Sequence, residues 1–427
     1  MMKMKSKKYY NMIRNRVIFL VIMLTIVCIS FNASYSNFIY NSNNHRAVEM
    51  YISSLQYEFK INDLYTDTIT VRPGNTYIKT SITSLNEVNT KFKYAYKSND
   101  NIKVYYVEKF PSDVIKPNET KNYDLLICNL SDDIIKMEFA IRSGYNTNTF
   151  EDIKIGEGYT YINDTIRVGD YVDYKPVNSN DSYVLRKELS GYVKDQTLYK
   201  KATKWVVLNI NNDGSVDLIS EKALPIDNRN NLLNLTGYKG FNNGVYILNE
   251  LCNKIYGSYY APGRNLNIDD IEQNLTDLWK PNLYVAPGTE NNYVEYNSNT
   301  FVPAVYLNHL ARSEKGSLIV EDEISEEDNL EINVDYWTQE FEEKNFKNKY
   351  FKIFMNQKYS QWLSSRYINS FDSYALFGLS NIINNRVDGN LLYSSINDTF
   401  TSSNALRPIV NTKNAIYREK NSLKIKY

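Results

Sequence analysis

Apolar and polar positions alternate through most of the stretch from residue 58 to residue 147. "KFKYAYKS" (91–98), "IKVYYVEKF" (102–110) and "IIKMEFAIRSG" (134–144) carry apolar or aromatic side chains at about every second position, the period of a half-buried strand. "DTITVRPGNTYIKTSITSLN" (67–86) and "SDVIKPNETKNYDLLICNLS" (112–131) share one plan: a short alternating run, a turn built on Pro73–Gly74 or Pro117–Asn118, then a second run. Short strands at this spacing predict a small two-sheet β-sandwich over 58–147. The polar, turn-rich stretch 148–165 is expected to be a linker. Beyond it, "TKWVVLNINNDGSVDLISEKAL" (203–224) holds two apolar runs around Asp213–Gly214, the dipeptide of a tight hairpin turn, with Trp205 opening the first run. Helical periodicity appears at 244–258, where Val245, Leu248, Leu251, Cys252 and Ile255 share a face, and at 267–279, whose first turn is acidic. Residues 313–345 carry an acidic run, expected as a solvated insertion. Short apolar and aromatic runs then continue to "ALRPIV" (405–410). Residues 166–427 therefore predict one α+β domain, with helices early and strands at both ends.

The N-terminus changes where this architecture is expected to reside. Lys3, Lys5, Lys7, Lys8, Arg14 and Arg16 precede "VIFLVIMLTIVCISF" (17–31), a basic region followed by an apolar core of about 15 residues. "SYS" (34–36) offers small residues for cleavage. Residues 1–36 thus read as a signal peptide or a signal anchor, with the body outside the cell in both cases. Residues 37–57 read as a stalk. Of the three cysteines, Cys28 lies in the apolar segment, and Cys128 and Cys252 read as buried thiols. The formal net charge of zero argues against a nucleic-acid partner. Asn, at about one residue in eight, and Tyr, 38 in all, are abundant as in AT-rich coding sequences, and they also suit an adaptable binding surface.

Catalytic readings close quickly. His45 and His309 are the only two histidines, and no G-x-S-x-G elbow, zinc-spaced Cys/His set, P-loop or G-x-G-x-x-G is present. "NINNDGSVDLIS" (209–220) imitates the first half of a calcium loop. Ser220 stands where the bidentate Glu is needed, so the segment reads as a hairpin. No catalytic, cofactor or metal residue is assigned. A carboxylate pair acting as a hydrolase remains open, since spacing selects no pair.

The first domain resembles the immunoglobulin-like modules of Gram-positive surface proteins, without the Cys…Trp…Cys signature of antibody domains. In the second, "VGDYVDY", "WVVLNINNDGSVDLISE", "LNLTGYKGFNNGVYILNELCNKIYG", "NIDDIE", "WLSSRY", "FGLSNI" and "ALRPIV" occur in this order over 166–415. The series resembles an extracellular domain of Gram-positive bacteria that is similar to the C-type-lectin-like fold of the formylglycine-generating, sulfatase-modifying proteins. That resemblance implies adjacent N- and C-terminal strands, with the C-terminal strands closing the sheet. It also implies that Trp362, Phe377 and Leu379 pack beneath Arg407. On this reading Arg407 clamps neighbouring oxygens, and Pro408 is tolerated at an edge or strand start. Formylglycine-generating enzymes hold copper through two close cysteines. This domain has only Cys252, so their oxidase activity does not carry over.

These readings converge on a non-enzymatic surface or secreted protein whose lectin-like domain binds a glycan or a protein, with a membrane contact through the N-terminal segment if that is not cleaved. Candidate contacts are Tyr284, Tyr293, Tyr296, Arg366, Tyr367 and Tyr374, from two Tyr- and Asn-rich stretches. A subunit of a surface fibre and a carboxylate-dependent hydrolase are the alternatives.

Overall fold

The computed structural model describes residues 55–97, 99–110, 114–145, 158–177, 179–276, 294–296, 299–301, 339–347, 349–355, 357–370, 375–394, 398–419 and 422–426. The chain is mostly β and divides into two units, Met1–Ile166 and Arg167–Tyr427. Among the described residues no helix is long and apolar enough to cross a membrane. The apolar segment 17–31 and the stretch 37–54 lie outside the described residues.

In the N-terminal unit, one sheet runs in the order β1 (Tyr57–Ile61), β3 (Gly74–Ser84), β7 (Thr120–Asn129), β5 (Ile102–Val107) and β10 (Thr165–Ile166). The second runs β2 (Thr68–Val71), β8 (Ile135–Tyr145), β4 (Thr90–Lys97) and β6 (Val114–Ile115), with β9 (Tyr159–Tyr161) also paired to β4. The alternation read from the sequence has a direct cause. Phe59, Ile82, Phe92, Tyr94, Phe139 and Ile141 come from both sheets and meet in one core. Phe59 meets Tyr94 edge to face, with centroids 5.5 Å apart. The stretch 148–165 is not simply a connector. Its described part contributes β9 and the start of β10, so Tyr159–Tyr161 and Thr165 belong to the sheets. Tyr and Thr at these positions favour strand, which the polar composition of the stretch obscured.

The C-terminal unit is built on a seven-stranded sheet. Its order is β17 (Gly263–Asn265), β25 (Pro408–Thr412), β15 (Val216–Ser220), β14 (Trp205–Ile210), β11 (Tyr171–Asp173), β27 (Ser422–Ile425) and β26 (Ile416–Glu419). The first and last strands of the unit are neighbours, since β11 pairs parallel with β27. A four-stranded sheet runs β20 (Gln339–Glu340), β23 (Arg386–Ser394), β22 (Ala375–Ile383) and β21 (Gln361–Ser370). Three two-stranded ladders complete the set: β12 (Ser182–Leu185) with β13 (Gln196–Tyr199), β16 (Leu233–Thr236) with β24 (Thr401–Asn404), and β18 (Val294–Tyr296) with β19 (Asn299–Phe301). Four α-helices are described: α1 (Lys187–Ser190), α2 (Gly237–Tyr256), α3 (Ile268–Glu272) and α4 (Tyr350–Phe354).

Alternation along β14 decides what each face of the large sheet covers. Val206 and Leu208 join a core with Ile271, Phe354, Leu363 and Ile382. Trp205 turns the other way, edge-on to Tyr174 at 5.1 Å and to Tyr256 of α2 at 6.1 Å. Helix α2 begins seven residues before its expected start. Gly240 and Gly244 allow this, because a Cβ at Gly244 would stand 2.4 Å from Leu379 Cδ1 on β22. Helix α3 is much shorter than the expected 267–279. It is capped by Asn267 and Asp270 in a reciprocal capping box, and the chain turns at Gln273–Asn274.

Candidate functional site: a polar groove in the C-terminal unit

A groove of about 590 Å³ is made from three separate stretches: 192–199, 226–234 and Ser403. The hairpin strand β13 supplies one wall. The turn after Ile226 supplies the other, and it is fixed to that strand because Tyr199 N donates to Ile226 O at 2.8 Å. Asp227 closes the turn by accepting from Arg229 N, Asn231 N and Asn231 Nδ2. Asn230 takes the left-handed conformation, at φ 66°, which Asn tolerates. The floor is a side chain acting as a strand. Gln196 Nε2 donates to Asn234 O at 2.7 Å, and Gln196 Oε1 accepts from Asn234 N at 2.8 Å. Ser403 donates to Asn234 Oδ1.

The two acids of the groove are already engaged. Asp195 accepts from Lys187 N and from Arg186 Nη1, each at 2.9 Å. The Lys187 amide and the Arg186 guanidinium hold its carboxyl below the usual range. Asp227 is likewise lowered, chiefly by the Asn231 amide. Neither is placed to donate a proton near neutrality, as a general acid must. Nothing among the described residues engages the side-chain polar atoms of Tyr192, Lys194, Thr197, Tyr199 or Asn230. Tyr199 is 48% exposed. The groove therefore offers two aromatic faces, three hydroxyls, an amide and one ammonium to a ligand.

A second cleft, about 300 Å³, is almost wholly polar and lies by Arg264, Asp217, Asp269 and Asp270. Three of its four charged groups are engaged internally. Arg264 forks onto Asp270 with two contacts of 2.6 Å, and Asp217 accepts from Asn211 at 3.1 Å and Asn411 at 2.8 Å. Among the described residues no group of three or more His, Cys, Asp or Glu is arranged to hold a metal ion.

The residues singled out in the sequence are dispersed. Tyr284, Tyr293 and Tyr374 lie outside the described residues, as do His309 and the acidic run 321–328. Tyr296 ends β18 and Tyr367 lies on β21. Arg366 is buried, its guanidinium 6.0 Å from the Phe241 ring and its Nη2 donating to Asn242 O at 3.4 Å. Trp362 is buried and donates from Nε1 to Leu233 O at 3.1 Å. Pro408 is the first residue of β25, which lies inside the sheet between β17 and β15 and not at an edge. Arg407 has no exposed surface, and its Nη2 donates to Ile353 O at 2.5 Å. Sequence reasoning passed over Asn265, which is buried and ties β17 to β21 and to the residue that precedes β25. Its Oδ1 accepts from Arg407 N and its Nδ2 donates to Trp362 O, both at 2.8 Å. Cys128 and Cys252 are buried and in no disulfide among the described residues, and burial pushes the Cys252 thiol up.

Asp213 and Gly214 form the hairpin turn, with Gly214 at φ 83°. Asp213 accepts from the Ser215 hydroxyl and amide and pairs with Lys413 Nζ at 2.9 Å, which together hold its carboxyl well below the usual range. A carboxyl depressed in the folded state contributes stability above its unfolded value, about 4, and that contribution is lost as pH falls through the folded value. Asp213→Asn is therefore expected to flatten the acid side of the stability curve below about pH 4. Urea denaturation from pH 2 to 7 measures this, and parallel curves for the two proteins would contradict it. The side chain is half exposed, so the effect is small.

No family model matches the chain, and neither does any curated protein or solved structure with which it was compared.

Proposed function

We propose that the chain is a non-enzymatic, exported binding protein that takes a carbohydrate in the groove between β13 and the 226–234 turn. The observation that carries this reading is the division of labour in the groove. Its two carboxylates are engaged by backbone amides, Arg186 and the Asn231 side chain, while two tyrosines, a threonine, an asparagine and a lysine remain available. A sugar presents a C–H face that lies against an aromatic ring and a rim of hydroxyls that need paired donors and acceptors. A hydrolase has less support, because both acids are held ionised and neither serves as the protonated partner.

The lectin-like reading of this unit is supported by the adjacency of its first and last strands. The immunoglobulin-like reading of the N-terminal unit is supported by the order β1-β3-β7-β5, which follows the A-B-E-D order of constant-type domains. The second sheet departs from that plan, with β2 beside β8 where a last strand belongs. With the basic and apolar N-terminus, these features suit a membrane-proximal sandwich that presents a binding unit.

An array of neutral and uronic-acid oligosaccharides probed with residues 37–427 tests the reading. Some members are expected to bind, and Tyr199→Ala and Asn230→Ala each to weaken titration with the best of them about tenfold. A silent array, or binding unchanged in both variants, refutes it.

A further inference from the structure

A fully buried arginine in the N-terminal unit has no use in the groove. Arg142 lies on β8, on the face of its sheet turned away from the sandwich core. Its neighbours Ile141 and Ser143 are on the inner side, Ile141 in the core cluster. Its relative exposure is 0%, and among the described residues Nε, Nη1 and Nη2 all lack a hydrogen-bond partner. The residue directly opposite on β4 is Lys93, another cation. The next pair on this face is Ala95 with Ala140, both small and both buried. Two tyrosines of β9 stand over these positions. Lys93 Nζ is 4.8 Å from the Tyr161 ring centroid, and Arg142 Cζ is 5.8 Å from that of Tyr159. The Tyr159 hydroxyl is given to Glu138, which ties up the carboxylate on this face.

Like charges set directly opposite each other on paired strands repel, and a guanidinium without acceptors is costly to bury. Burial lowers the Arg142 proton affinity. Directly opposed side chains on antiparallel strands stand about 5 Å apart at Cβ, a span that one bridging oxyanion matches. The planar fork of a guanidinium suits two oxygens of such a group.

We propose that Arg142, with Lys93 opposite, is the receptor for a single oxyanion, a phosphate or carboxylate group, held beside Tyr159 and Tyr161. The ring stacking keeps both cations in place, and the three free guanidinium nitrogens supply the hydrogen bonds. The site is in the N-terminal unit and is independent of the carbohydrate groove.

The test is thermal unfolding of the full chain titrated with inorganic phosphate, and separately with acetate, at constant ionic strength. At least one anion is expected to give a saturable rise of about 3 °C or more at millimolar concentration. Arg142→Gln should abolish that rise, and Lys93→Gln should weaken the apparent affinity about tenfold. The two arms tell phosphate from carboxylate recognition. Side-chain nitrogen NMR of the wild-type protein covers the case in which Arg142→Gln does not fold: one arginine Nε–H resonance should shift with the same saturation curve. Absence of any saturable response, or a response retained in Arg142→Gln, overturns the proposal.

Discussion

Arg407→Ala is expected to destabilise the C-terminal unit by on the order of 3 kcal/mol, with Arg407→Lys recovering less than half of the loss. The side chain has no exposed surface, so it acts through the fold. Its Nη2 donates to Ile353 O, one of the carbonyls left unpaired at the end of α4. Gln361 Nε2 serves the next carbonyl, Phe354 O, at 2.6 Å, and Gln357 Nε2 reaches Ile353 O only at 3.5 Å. Truncation to Ala therefore leaves Ile353 O with one poor donor and opens a void in a fully buried place. An opposing term sets the limit. Nε and Nη1 have no partner among the described residues, and burial pushes the guanidinium down to about 9, so retaining this charge is itself costly. Arg407→Met keeps the volume and discards the charge, so it should lie between wild type and Ala, about 1 kcal/mol below wild type. Urea denaturation of the full chain, followed through the transition of the C-terminal unit, gives all four values. Arg407→Ala within 1 kcal/mol of wild type would sink the argument.

Much of the strand pattern was legible because alternation and turn chemistry act locally. The runs at 91–98, 102–110 and 134–144 became β4, β5 and β8 within a few residues. The Asp213–Gly214 turn could be read because only a permissive residue accepts the positive φ of Gly214. What was not legible depends on tertiary contact. Gly237, Gly240, Asn242 and Asn243 argue against helix by propensity, yet they form the first turns of α2. Gly240 there lies against Leu235, and Asn243 donates to Leu189 O. Arg142, Arg366 and Arg407 are buried, whereas charge in a sequence reads as exposure. The groove has no motif at all. Tyr192, Tyr199, Asn230 and Ser403 come from three stretches that only the folded chain brings together, so counting Tyr and Asn pointed elsewhere.

Gly191→Ala is expected to cost on the order of 3 kcal/mol and also to weaken the groove. Gly191 ends α1 in the left-handed conformation, φ 71°, where its N–H returns to Lys187 O. An alanine there meets two obstacles. The conformation alone costs about 1 kcal/mol. In addition, the new Cβ would stand 2.1 Å from Thr236 O, a backbone atom at the junction of β16 and α2 that cannot turn aside. Gly169 separates the two effects. Its φ is similar, +85°, but a Cβ there meets Cδ of Lys349 at 3.1 Å, part of a flexible side chain. Gly169→Ala should therefore cost only about 1 kcal/mol. The functional consequence follows from sequence adjacency. Tyr192 is the next residue, its N–H fixed to Ser190 Oγ at 3.2 Å, and Asp195 is anchored to Lys187 at the start of the same helix. Moving the 191 backbone away from Thr236 displaces both from the groove wall. Oligosaccharide titration well below the melting point should show weakened binding in Gly191→Ala and none of that loss in Gly169→Ala. Equal stability of the two variants would show that Thr236 yields readily, and the groove wall would then not depend on a glycine at 191.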